Sequence, residues 1–169
     1  MTRISSRLLL ALAAATTSAS PIDDGTVTIT SQVSYAFPFV AERSGYLQRV
    51  SANLGIARAL IPDVPVMVEV NDDRGGRIVL QPVIDVTTTI DERAHPDSPT
   101  VFEVPMGIEL EAGKQYWVMV ESPTGNEIAW ATTADKVGRR FRKNVITGEL
   151  GYDDNQPQAR FSVHIANPP

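Results

Sequence analysis

Leu110–Val120 reads LEAGKQYWVMV, and the fold turns on how that stretch divides. Gly113 supplies the positive φ that a tight turn needs, and Lys114 and Gln115 keep the turn in water. From Tyr116 onward the residues are aromatic and β-branched, the composition of a strand. Side chains on a strand alternate, so Tyr116, Val118 and Val120 share one face and Trp117 and Met119 the other. The stretch predicts a tight turn feeding a core strand, a joint rather than a site.

The same period of two extends in both directions. Thr26–Thr30 reads TVTIT, and Val33–Val40 reads VSYAFPFV, with Pro38 marking an edge or a bend. After a turn at Glu42–Gly45, Val50, Ala52, Leu54 and Ile56 fall on one face. Val64, Val66, Val68 and Val70 alternate with Pro65, Met67, Glu69 and Asn71, the clearest half-buried strand in the chain. Asn71–Gly76 is a turn, and an extended run interrupted by Pro82 leads to the polar loop DERAHPDSP. Val101–Met106 and Arg160–Ile165 alternate again. About eight short strands separated by Gly, Pro and Asp turns, without a convincing helix, predict a single antiparallel β-sandwich of jelly-roll type over residues 22–169.

The succession SGYLQRVSANL, VMVEVNDDRGG and VFEVPMGIELEAGKQYWVMV, over Ala36 to Ile165, resembles the accessory jelly-roll modules of bacteriophage head or tail appendages and of exported bacterial carbohydrate-binding-like proteins. In those modules a strand of the type SG-x-L-x-x-V opens the domain, and an L-x-A-G-x-x-Y-W turn leads into a core strand. The resemblance implies an all-β fold and a structural or glycan-binding role. It carries over no catalytic residue.

Composition narrows the chemistry. The chain has 169 residues, a net charge of −5 and no cysteine. The negative charge argues against nucleic acid and against an anionic membrane surface. Lack of cysteine removes disulfides, thiolate metal sites and a thiol nucleophile. Its apolar runs are too short to span a bilayer as a helix. The only histidines are His95, in a Pro-containing loop, and His164, on the outward face of the last strand. No G-x-S-x-G elbow or phosphate loop accompanies them, so the expectation is a non-enzymatic protein without catalytic residues. Asp72 and Asp73, and Asp153 and Asp154, form short oxygen-rich clusters of the kind that hard cations favour, which makes calcium the structural metal to test for; Asx-rich turns form as readily without metal. Trp130, Tyr152 and Asp153 are the candidates for an exposed platform that stacks on a pyranose and bonds its hydroxyls, although a tryptophan in a sandwich packs in the core as readily.

Two segments bear on partners. Residues 1–21 read either as a helical or extended arm or as a secretory signal, with Arg3 and Arg7 preceding an apolar Leu8–Ala15 and a small-residue Thr17–Ala19. As an arm, Ile4, Leu8 and Leu12 would form a stripe able to dock on a neighbouring subunit. Farther on, Arg139, Arg140 and Arg142 crowd around Phe141 in an otherwise acidic chain, either as a docking surface or as charges guarding a sheet edge. The expected function is a structural attachment protein of a virion, a head decoration or tail appendage, which contacts other subunits and forms a homo-oligomer. The alternative is a secreted or cell-surface carbohydrate-binding module that loses its first residues and recognises glycans.

Overall fold

The computed structural model describes residues 25–167. The arm over residues 1–21 and its stripe of Ile4, Leu8 and Leu12 lie outside the described residues. Within them the chain is all-β. Its strands are β1 (Gly25–Ile29), β2 (Val33–Val40), β3 (Gly45–Arg58), β4 (Asp63–Asp73), β5 (Ile78–Asp91), β6 (Pro99–Leu110), β7 (Gln115–Glu121), β8 (Glu127–Asn144), β9 (Leu150–Ala159) and β10 (Phe161–Ala166). Every ladder is antiparallel, in the order β10-β3-β8-β2-β7-β4-β5, with β1 and β9 also on β8 and β6 on β3.

Strand β8 makes this sheet fold over on itself. Ile29 pairs with Ile128 near one end of β8, and Val33 pairs with Asn144 at the other. The chain from Ile29 to Val33 spans at most about 14 Å, whereas a straight strand from 128 to 144 would span roughly 50 Å. The ends meet because β8 bends where its ladder with β9 is broken, between Thr133 and Val137 and again between Gly138 and Arg140. Bulges bend strands in this way. The curled sheet thus supplies both walls of a sandwich.

The inner faces close on one main core. Val64, Val66, Val68 and Val70 of β4 are all buried in it, as are Val50, Ala52 and Leu54 of β3 and Tyr116, Val118 and Val120 of β7. The opposite face of β7 is buried as well. Trp117 and Met119 join Ala36, Ile78 and Phe141 in a second, smaller core, closed by Tyr152. Gly113 has φ +76°, so the turn before β7 uses the left-handed conformation that its glycine suggested.

Among the described residues ten strands stand where about eight were expected. The difference lies in residues 127–159, where the basic segment and the polar stretch GYDDNQ are both strand. No apolar alternation marks β9, because its half-exposed side chains are held by charge pairs with β8 instead of by a core. Pro82 does not end β5, which runs along the outside of the sheet; a register shift between Val70 and Asn71 takes it up.

Candidate docking groove

Strand β2 pairs with β8 only as far as Ala36, opposite Phe141. Beyond that point β8 turns away, so Phe37–Val40 keep β7 on one edge and, among the described residues, have no ladder on the other. Among the described residues β10 pairs with β3 alone, leaving its other edge without a ladder. Between these two edges lies a groove of about 600 Å³, closed at one end by Lys136–Gly138 of the bend and by Gln158 and Ala159. That volume is in the range of ligand and peptide sites.

The floor is aromatic and aliphatic. Phe39 and Phe161 meet edge to face, their centroids 6.1 Å apart. Behind them, Phe39 stacks on Tyr116 at 5.8 Å, and Phe161 rests against Trp130 at 5.9 Å. The floor is therefore continuous with the main core, and Val163 and Ile165 of β10 extend it. At the lip, Val40 is 54% and Val137 46% exposed, unusual for large aliphatic side chains flanking a hollow. Glu42, Arg43 and Lys136 form a mixed-charge rim. An aromatic floor, a polar and charged rim and two open strand edges suit an extended chain segment. Pro38 has no N–H to offer at its edge, so β10 is the better template for such a segment.

The other proposed site residues fall elsewhere. Trp130 is fully buried, its indole N–H donating to the Arg160 carbonyl at 3.2 Å and its ring meeting Phe37 edge on at 5.1 Å. It is a core residue, since its position on β8 faces between the walls, and it offers no sugar platform. Tyr152 packs its ring on Phe141 and Trp117, 5.2 and 6.0 Å away, and its hydroxyl oxygen accepts the Ile78 N–H. Asp153 is paired with Arg140 at 2.9 Å. The three do not make an exposed stacking surface.

The acidic clusters are likewise engaged by the protein itself. Asp72 faces Lys114 at 2.9 Å, and that hydrogen bond holds the ammonium pKa above its ordinary value. Asp73 accepts the Trp117 indole N–H at 2.7 Å and the Gln115 amide at 2.9 Å through Oδ1, and the Gly76 N–H at 2.9 Å through Oδ2. Asp154 holds Arg139 at 2.8 Å, which lowers the carboxyl and raises the guanidinium. Among the described residues, no three His, Asp or Glu side chains converge as metal ligands would.

Those pairings also redraw the basic segment. Arg139 bonds Asp154 and the Gly76 carbonyl, Arg140 bonds Asp153 and lies 4.9 Å over the Tyr35 ring, and Arg142 approaches Glu149 at 3.8 Å. Register explains it: β9 runs antiparallel to β8 and sets Asp153 opposite Arg140. The arginines form a charge zipper between two strands, not an open positive surface. Next to it on the outer face, Glu121 takes Lys143 at 3.0 Å and the Ser34 hydroxyl at 3.4 Å. Glu69, nearly buried beside it, accepts Asn71 at 3.3 Å; burial, and then the charge of Glu121, pushes its carboxyl above the ordinary range.

His95 lies exposed against Asp97 and His164 exposed on β10. Among the described residues, no helix is long and apolar enough to cross a membrane. The sequence reading missed the groove, since its walls come from four strands; the signals available were Pro38 inside a strand-like run and Val137, a lone apolar residue in a charged stretch. The chain matches no family model, no curated protein and no solved structure.

Proposed function

We propose that this chain is a non-enzymatic attachment subunit of a larger assembly, such as the head or tail decoration of a virion, and that it holds a neighbouring subunit through the groove along β10. The observation that carries this reading is a hollow with an aromatic and aliphatic floor between two strand edges, with exposed valines on its lip. Uncovered apolar surface of this kind marks interaction sites. A second surface supports it. Leu60 and Ile61, after β3, and Val145 and Ile146, after β8, are exposed at one end of the sandwich. Leu60 and Ser31 both lie against Gly125, and the Val145 N–H donates to the Gln32 carbonyl, so both pairs flank the β1–β2 turn. The glycan reading gains nothing comparable, since its tryptophan is in the core.

Sedimentation of the full chain tests this reading. Wild type is expected to self-associate at micromolar concentration. Val137→Glu, placed on an exposed side chain, is expected to weaken association at least about tenfold while leaving the melting temperature unchanged. Equal association by the two proteins would refute a contact through the groove.

A further inference from the structure

Resting on that reading, we infer that the neighbour is a second copy of this chain, its β10 paired antiparallel with this β10 about a two-fold axis at Val163. The open edge of β10 is what suits a strand. Its register with β3 sets Phe161 opposite Ala52, and the Arg160 carbonyl accepts the Asn53 N–H. Hydrogen-bonded pairs alternate along an antiparallel ladder. Arg160, Ser162 and His164 therefore turn their backbone groups to β3, and Phe161 and Val163 turn theirs to the groove. The register shift after His164 skips Gln48 of β3 and leaves β10 in step, so Ile165 keeps the groove direction.

Sheet edges that stay solitary are guarded, most simply by proline or lysine. Among the described residues, β2, β5, β6 and β9 each have an edge without a ladder, and each carries proline: Pro38, Pro82, Pro99 with Pro105, and Pro157. Strand β1 is only five residues long. β10 reads FSVHIA, with neither proline nor lysine. It is also self-complementary. About Val163, Phe161 falls opposite Ile165 of the second copy, apolar against apolar on the side that lines the groove. On the outer side Ser162 falls opposite His164 of the second copy, and no like charges meet.

Charges on the rim select the same arrangement. Lys136 stands at the Phe161 end of the groove, beside Ala159. Glu42 stands at the Ile165 end, three residues before Gly45, which lies against Ile165 and Ala166. Among the described residues neither makes an ion pair, and within one chain they sit at opposite ends of the groove. Antiparallel pairing brings the Phe161 end of each copy to the Ile165 end of the other, so Lys136 meets Glu42 of the second copy, twice by symmetry. Arg43 shares that end, so the part played by Glu42 is read by charge swap. The contact is closed and isologous.

The chain has no cysteine, so introduced thiols report cleanly. One full-length batch carries Ser162→Cys and another His164→Cys, both at exposed positions on β10. Side chains directly opposed across two strands lie about 5 Å apart at Cβ, within reach of a disulfide; two residues along one strand are roughly 7 Å apart. After mixing, subunit exchange and mild oxidation, a disulfide dimer is expected several-fold more abundant than in either batch alone. In sedimentation, Lys136→Glu and Glu42→Lys are each expected to weaken self-association several-fold, and the double variant to recover most of it. A mixture that stays unlinked while wild type self-associates, or a double variant as weak as either single, overturns the pairing through β10. If Val137→Glu still dissociates that protein, the attachment reading survives and only the manner of contact changes. A wild type that is monomeric at micromolar concentration removes the second copy as the neighbour.

Discussion

Replacing Asp73 by alanine tests whether one half-buried carboxylate organises the smaller core. Three donors lose their acceptor at once: the Trp117 indole N–H, the Gln115 amide and the Gly76 backbone N–H, all within 2.9 Å. Trp117 is fully buried, so its N–H has no water to turn to. An unsatisfied buried donor costs about 1–3 kcal/mol, and bonds to a charged acceptor lie at the upper end of that scale. Gln115 and Gly76 are half-exposed and recover much of their loss from solvent. The sum is about 3–4 kcal/mol, a large share of the roughly 5–15 kcal/mol that holds a domain together. At this chain length it corresponds to a melting temperature lower by about 6–16 °C. Urea unfolding followed by tryptophan fluorescence measures it, with the m-value expected to stay constant. Asp73→Asn keeps an oxygen for the indole and should lose only about 1 kcal/mol. A loss below about 1 kcal/mol for Asp73→Ala, or equal losses for the two variants, would refute the role given to this carboxylate.

Two further perturbations probe the sheet. Burial raises the Glu69 carboxyl above its ordinary value of 4.5, so the folded state binds a proton more readily than the unfolded chain. Stability contributed by this group then falls as pH rises from 4.5 through the higher folded value. Glu69→Gln is expected to be more stable than wild type by on the order of 1 kcal/mol at pH 8 and indistinguishable from it near pH 4; urea unfolding at both pH values decides, and a pH-independent difference would refute the assignment. Gly113→Ala places a Cβ in open space but at φ +76°, so backbone strain alone should cost about 1–2 kcal/mol by the same assay. A neutral effect would mean that the turn relaxes.

Much of the fold was readable because two strands were strict in their alternation. Val64–Val70 reports its buried face directly, and Tyr116–Val120 reports two faces, each of which found a core of its own. What the period could not show was that Trp117's side of the sheet would be covered too. That cover is Phe141 and Tyr152, brought over by a hairpin whose own sequence reads as charge. Trp130 was ambiguous for the same reason. A tryptophan in a strand of mixed composition takes its side from register, and register with Leu54 and Val27 is a long-range property.

The misread hairpin and the missed groove have one physical origin. In sequence, Arg139–Arg142 and Asp153–Asp154 are separate runs of opposite charge, and each alone invites a partner or a metal. Antiparallel pairing sets Arg140 opposite Asp153 and brings Asp154 to Arg139, so the charges satisfy each other. The zipper ties β9 to β8 beyond the bend, and the Ala159 and Gln158 pairings tie it before the bend. A strand held on both sides of its bulge keeps its corner. Because that corner turns β8 away from β2 after Ala36, the edges of β2 and β10 stay apart and the floor of Phe39 and Phe161 stays open. The charges that looked like a docking surface therefore act one step removed: they hold the bend that opens the groove.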